Sequence, residues 1–273
     1  MNFEAEVSAG QRFEFGKNWQ RYRVASFDQA KLEAAKASVV KMLGDLRGRS
    51  FLDVGSGSGL FSLAAAQLGA IVRSFDYDPD SVECARLLKQ CFAPEKSDWL
   101  IEQGSVLDAC FLRSLPQFDV VYAWGVLHHT GDMWAALDKV IGLVKPTGQL
   151  WLAIYNDQGE ATYVWKLVKR TYNRGRIGKA LVLGLGVPFL TVRTVLADLV
   201  RLRSPLSRYR QQGGRGMAAF TDSIDWLGGW PFEVAKPEQI FDFYNQRGFT
   251  LRTLRTCAGR AGCNEFLFAK MPS

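Results

Sequence analysis

The sequence has little histidine and no cysteine pattern. Only two histidines, His128 and His129, occur in 273 residues, and they are adjacent. The five cysteines, Cys84, Cys91, Cys110, Cys257 and Cys263, form no C-x-x-C pair. A structural zinc site needs four nitrogen or sulfur ligands in close register, so none is expected. Clustered carboxylates are also lacking beyond Asp157 and Glu160, and no metal is expected. An odd number of scattered thiols suits a reducing compartment, so a cytoplasmic location is expected. Long hydrophobic runs are absent. The longest uncharged stretch in the most apolar region, Ala180 to Val192, has 13 residues and contains two glycines and Pro188. A bilayer span needs about 20 apolar residues. The N-terminal stretch MNFEAEVSAGQRFEFGKNW is polar and partly acidic and does not read as a signal peptide. There is no internal repeat and no low-complexity tract.

Acidic residues are scarce in one region. Residues 157–232 hold 12 Lys and Arg against 5 Asp and Glu, while the remainder holds 22 of each, so the whole net charge of +7 lies there. A local basic surface attracts something acidic, such as a membrane, a phosphorylated substrate or nucleic acid.

The most informative stretch is FLDVGSGSGLF at 51–61, followed by SFDYDP at 74–79. It reads as a buried strand, a glycine loop, a helix start and a second strand ending at Asp76. An acid about 20 residues after the first glycine takes ribose hydroxyls in nucleotide-binding doubly wound folds. The spacing Gly55, Gly57, Gly59 is G-x-G-x-G. A dinucleotide site instead needs G-x-G-x-x-G beside its pyrophosphate. Asp53 precedes the loop, which suits a cationic ligand better than a pyrophosphate. S-adenosylmethionine (SAM) is such a ligand, with a ribose, an adenine, a sulfonium and no phosphate.

Hydrophobic patterning extends this reading. FLDV, IVRSF, WLIEQ, FDVVYAW and QLWLAIY predict five strands in sequence, and TLRTLRTC and NEFLFAK predict a terminal strand pair. Helices are predicted over 28–46, Leu60–Leu68, from Asp78–Pro79 onward, Asp132–Val144 and from Pro237. The segment between the fifth strand and Pro237 is too long for a plain loop. YVWKLVKRTYNR and IGKALVLGLGVPFLTVRTVLADLVRLR predict helices there, the second either a buried cap helix or one lying on a membrane surface. GGRGMAAFTDSIDWLGGWPFEVA, rich in Gly and Trp, reads as a shaped loop.

DVGSGSG, SFDYDP, FDVVYAWGVLHHT and LVKPTGQLWLAIY, in this order, resemble a class I SAM-dependent methyltransferase, with the ubiquinone-biosynthesis type of small-molecule methyltransferase the nearest likeness. The resemblance covers about 49–156 with specific motifs and 233–273 more loosely. It implies an α/β fold with a doubly wound, seven-stranded, mostly parallel sheet. The expected organisation is an N-terminal helical segment at 1–48 and a SAM-binding core at 49–156. A basic helical cap at 157–232 and a last helix and strand pair at 233–273 complete it. SAM is the expected cofactor. Asp53, Gly55, Ser56, Gly57, Gly59, Asp76, Tyr77, Ser105, Val106 and Trp124 are the candidate cofactor residues. Relatives often carry an acid at the position of Ser105, which this sequence lacks.

His128 and His129 follow the fourth strand. General base, pocket wall and start of the next helix are the roles open to them, and the resemblance favours His129 as the catalytic one. A histidine base predicts a rate that rises with pH through an ordinary histidine pKa. Trp19, Tyr155, Asn156, Trp226 and Trp230 are the candidate substrate residues. The expected activity is methyl transfer to an oxygen or nitrogen of a small-molecule, quinone- or lipid-like or glycan acceptor, with peripheral membrane contact through the basic cap. An RNA-modifying methyltransferase and a SAM-binding protein without methyl transfer are the alternatives.

Overall fold

The computed structural model describes residues 3–17, 29–200 and 219–272. Seven strands form one sheet: β1 Ser50–Val54, β2 Ile71–Asp76, β3 Trp99–Gln103, β4 Phe118–Trp124, β5 Val144–Tyr155, β6 Phe249–Arg255 and β7 Cys263–Lys270. Their order is β3-β2-β1-β4-β5-β7-β6. The first five are parallel, whereas β7 is antiparallel to both β5 and β6. All seven strands lie where the sequence pattern put them.

Helices cover both faces, so the strands alternate between two apolar environments. Leu52, Val54, Val121, Ala123, Leu150, Leu152, Phe266 and Phe268 point into one core. Phe51, Val120, Tyr122, Trp151 and Leu267 point into the other. The second core is closed by α2 Gln29–Leu43, which follows the short α1 Phe3–Ser8, and by α3 Leu60–Gln67. Ala64, Ala65 and Ala66 are fully buried, and small side chains let α3 lie close to the sheet. Gly59, at φ 80°, begins that helix. A Cβ there would meet Ala85 at 2.9 Å, so glycine sets the distance between α3 and α4, Pro79–Phe92. Asp78 caps α4 by accepting from Asp80 N, with Pro79 in the first turn.

Two details depart from the sequence reading. The helix expected over 132–144 ends early: α6, Met133–Lys139, follows the short α5 Ala109–Arg113 and gives way to a 3₁₀ turn at Val140–Leu143. The Gly- and Trp-rich stretch read as a loop contains a helix, α9 Ala219–Gly228. Ile224 and Leu227, three apart, turn toward one apolar cluster and outweigh the local glycine content. Helix α8 Arg176–Val200 runs through Pro188 with one side packed and the other exposed.

Helices α7 Glu160–Tyr172, α8 and α9 pack on one another after β5, before α10 Pro237–Asn245 returns the chain to the sheet. Phe13, Tyr172, Val182 and Leu227 form the centre of their cluster. A Cβ on Gly186 would meet Leu227 at 2.8 Å, so this glycine is where α8 approaches α9.

At the opposite edge from the glycine loop, Asp119 clamps β1 to β4. Its Oδ2 accepts from Ser50 N at 2.8 Å, Ser50 Oγ at 2.6 Å and Lys145 Nζ at 2.9 Å. Burial works to raise its pKa, but the Ser50 hydrogen bonds and the Lys145 ammonium outweigh it and hold the carboxyl at about 2. Asp119→Ala should cost about 1–3 kcal/mol, since it leaves the Ser50 N–H without its acceptor. Urea titration measures this. The folded pKa lies below the ordinary value, so the stabilisation is present above about pH 4 and fades as pH falls toward 2. The difference between wild type and variant should shrink accordingly.

Candidate active site

In an open α/β sheet, ligands sit beyond the carboxyl ends of the strands where the strand order reverses. Here that point lies between β1 and β4. A cavity of about 750 Å³ opens there, lined by the loops after β1, β2, β3 and β4 and by the end of β5.

The glycine loop is shaped by close backbone approach. Gly55 has φ 72°, and a Cβ on it would collide with Val126. Gly55 N and Ser56 N both donate to Phe75 O, at 2.8 and 3.1 Å. Gly57 N donates to Asp76 Oδ2 at 2.8 Å, and Asp78 N donates to Asp76 Oδ1 at 2.9 Å. Two backbone donors therefore fix the Asp76 carboxylate at the cavity edge. Asp53 is almost fully buried yet lines the cavity, and accepts from Ser62 Oγ at 2.6 Å. Burial raises Asp53 to about 7 and Asp76 to about 6. Ser56 Oγ lines the same cavity and finds no hydrogen-bond partner among the described residues. A buried orphan hydroxyl beside two carboxylates fits a ligand that carries hydroxyls and a positive charge.

Tyr77, Ser105, Val106 and Trp124 also line the cavity. Ser105 Oγ accepts from Leu107 N at 3.1 Å, shaping its own turn. Trp124 Nε1 donates to Glu265 Oε1 at 2.8 Å. Gly59 is corrected: it does not line the cavity and acts through helix packing.

Of the histidines, only His129 lines the cavity. Its Nδ1 lies 2.6 Å from Pro231 O. A carbonyl can only accept, which puts the proton on Nδ1 and leaves Nε2 as the acceptor of the ring. Burial, together with the nearby Lys169 and Arg12 charges, lowers its pKa to about 3. The expected rate step at an ordinary histidine pKa therefore does not follow for the free protein, where His129 is neutral throughout that range. His128 as a catalytic group is likewise corrected. It is fully buried, lies outside the cavity lining, and its Nδ1 accepts from Tyr155 N at 3.3 Å.

Tyr155 and Trp226 line the cavity, in edge contact at 5.5 Å between ring centres. Asn156 does not. Its Oδ1 accepts from Asn264 Nδ2 and its Nδ2 donates to Arg260 O, so it ties β5 to the loop before β7. Trp230 packs against the α7–α9 cluster, and its carbonyl accepts from Phe13 N. Trp19 lies outside the described residues. Among the described residues no group of three or more His, Cys, Asp or Glu is placed to hold a metal ion.

The structure adds residues that the sequence reading passed over. Arg12 lines the cavity, pairs with Glu6 at 2.6 Å, and donates to His129 O and Thr130 O. Its guanidinium also lies over the Tyr77 ring at 4.8 Å. Gly16 N donates to Asp78 Oδ2 at 2.7 Å. These bonds fasten the N-terminal segment along the mouth, with Phe13 and Phe15 in the wall. Asp225 lines the far end. Behind it Lys169 is fully buried, donates to Trp226 O, and faces the rings of Phe232 and Trp226 at 4.8 and 5.0 Å. Burial lowers Lys169 to about 7, with Asp225 acting in the opposite sense. A signal existed for it: Trp165, Val168, Lys169 and Tyr172 form an i, i+3, i+4, i+7 row, so the lysine stands in the inward face of α7.

Residues 52–150 match the family model of a methyltransferase domain. Over these residues the chain resembles a class I SAM-dependent methyltransferase domain. Over 112 residues the chain is 35% identical to a ubiquinone biosynthesis O-methyltransferase of Xanthomonas oryzae pv. oryzae, covering 41% of this chain and 45% of that protein. The chain thus spans about half the length of the curated relatives it matches. Among solved structures, magnesium protoporphyrin IX methyltransferase from Synechocystis PCC 6803 with bound SAH superposes with a TM-score of 0.51 at 16% identity, covering 99% of this chain and 88% of that one. Burkholderia thailandensis 1,6-didemethyltoxoflavin-N1-methyltransferase does so with 0.51 at 15% identity, covering 99% and 92%. At such identities these likenesses show the fold alone.

The pKa values of the cavity's two acids, Asp53 and Asp76, predict how cofactor affinity depends on pH. An ammonium and ribose hydroxyls favour the ionised carboxylates, so protonation competes with binding. Affinity for SAM should fall as pH drops from about 8 to about 5.5, by at most about tenfold per pH unit for each proton taken up. Asp53→Asn should remove the step near 7 and keep the one near 6. Calorimetry across that range measures both.

Proposed function

We propose that the protein transfers a methyl group from SAM to an oxygen, or a nitrogen, of a small acceptor of quinone- or lipid-like or glycan character. The observation that carries this reading is a single cavity joining two kinds of wall. One end has the glycine loop, Asp53 and Asp76. The other has Phe13, Phe15, Tyr155 and Trp226, with His129 beside them. Aromatic walls favour a flat, apolar acceptor. The ubiquinone biosynthesis O-methyltransferases among the relatives support an oxygen acceptor of that shape. Five free thiols support a reducing compartment.

When bound, SAM supplies an electrophilic methyl group on a sulfonium. The chain contributes orientation and exclusion of water. Asp76 would accept from the ribose hydroxyls and Asp53 would face the ammonium of the methionine part. Ser56 Oγ would take up the hydrogen bond it lacks. At the other end, Nε2 of neutral His129 would accept the hydrogen bond of an acceptor hydroxyl and point its oxygen at the methyl group. Its low pKa makes it a weak base, so positioning is its main contribution.

Two variants separate these roles. Asp76→Ala removes two charge-assisted hydrogen bonds, each worth roughly 1.5–3 kcal/mol, and should weaken SAM binding at least about 100-fold by calorimetry. His129→Ala should leave SAM affinity close to wild type and lower turnover by roughly 10²-fold, in assays with methyl-labelled SAM and phenolic or catechol acceptors. Unchanged affinity in the Asp76 variant would refute the cofactor assignment. SAM binding with label entering no small molecule, lipid or RNA fraction of a cell extract would favour a binding protein without transfer.

A further inference from the structure

Helix α8 is apolar on two opposite sides. Val182, Leu183, Val187 and Leu190 turn inward to the cluster shared with α7 and α9. Ile177 is 87% exposed, and Leu181, Leu185, Phe189, Val192 and Leu196 are each more than half exposed. At 100° per residue these six fall within an arc of about 120°, a continuous stripe along the helix. An ordinary surface helix carries polar side chains on that arc. The outward side of α7 adds Tyr163, Val164 and Leu167, at 75%, 62% and 62% exposure.

Charge accompanies the stripe. Residues 161–197 contain seven Lys and Arg and no Asp or Glu. Six of these, Lys166, Arg170, Arg174, Arg176, Lys179 and Arg193, are exposed. On α7, Lys166 and Arg170 interleave with Tyr163 and Leu167. Soluble monomers rarely leave so large an apolar surface open. Among the described residues no helix is long and apolar enough to cross a membrane.

We propose that the outward face of α7 and α8 docks on the surface of a membrane rich in anionic lipid, with α8 lying in the interface. Leu181, Leu185 and Phe189 enter the acyl boundary, and Lys166 and Arg170 of α7 meet headgroup phosphates, with Arg193 at the edge of the α8 stripe. Charge decides between this partner and a second copy of the chain. Two copies would bring net-cationic faces together and repel, whereas anionic headgroups complement them. The inference rests on this surface and does not depend on the acceptor.

The test is co-sedimentation of the full chain with phosphatidylcholine vesicles, with and without phosphatidylglycerol. Anionic vesicles should bind at least about tenfold more strongly, and raising salt from about 0.1 to about 0.5 M should reverse much of this gain by screening. Leu181→Asp/Leu185→Asp should abolish recruitment to anionic vesicles. Lys166→Glu/Arg170→Glu should remove the preference for anionic over neutral lipid. Circular dichroism and SAM affinity, both unchanged, would show that the variants fold. Failure of the wild type to bind anionic vesicles overturns the proposal. So would equal binding by a folded Leu181/Leu185 variant. If vesicle binding is absent, concentration-dependent dimerisation in the ultracentrifuge, lost in the Leu181/Leu185 variant, would assign the face to a second copy. Salt-dependent binding to RNA alone would assign it to nucleic acid.

Discussion

A parallel sheet buried on both faces is the constraint from which the rest of this structure follows. Parallel strands can be joined only by crossovers, and here these place α2–α4 and α5, α6 and α10 on opposite sides of the strands. Both faces must then be apolar, which Phe51 beside Leu52 and Trp151 beside Leu152 satisfy in alternate directions. The remaining opening is at the strand ends. All five parallel strands end on one side, so loops far apart in sequence meet there. Gly57 N–H reaching the Asp76 carboxylate is the clearest product of this geometry, since it ties the loop after β1 to the end of β2.

The same enclosure gives the cavity its electrostatics. Asp53, Asp76, His129 and Lys169 all lie at or behind one cavity, and burial shifts each toward its neutral form. A free protein poised in this way is primed for a ligand that restores charge partners: carboxylates that gain an ammonium and ribose donors return to their ionised state. On the proposed function, cofactor binding would be coupled to proton release from Asp53 and Asp76. The N-terminal segment contributes to the enclosure through Arg12, whose bonds to the carbonyls of His129 and Thr130 hold the wall from which His129 projects.

Helices α7–α9 have a different character. Their shared cluster is small, and Gly178, Gly186 and Gly228 sit where its segments approach closely. One side of this layer reaches the cavity through Asp225 and Trp226, while the other carries the exposed stripe of α8. A single helix layer therefore has one face toward the site and one toward the surroundings.

The sequence by itself determined the seven strands, the glycine loop, Asp76 and the cap at Asp78–Pro79, because each is local: a period of two, a left-handed turn, a side chain that bonds the backbone two residues on. It also placed the basic charge in 157–232, since charge can be counted without coordinates. Tertiary structure alone decided which neighbours share the cavity. His128 and His129 are adjacent in sequence, yet one is locked under the β5 backbone and the other faces the site, because a 3₁₀ turn at Leu127–His129 sends them in different directions. Asn156 follows Tyr155 but is taken by Asn264 and Arg260, more than 100 residues away. Arg12 gave little local signal, since apart from Glu6 its partners are a ring and carbonyls from remote segments, whereas the inward row of α7 marked Lys169 but not the remote groups it meets. A helix such as Ala219–Gly228 forms in glycine-rich surroundings because burial of Leu227 against α8 outweighs propensity. Local rules fix the elements; long-range packing, which no local pattern encodes, fixes the site.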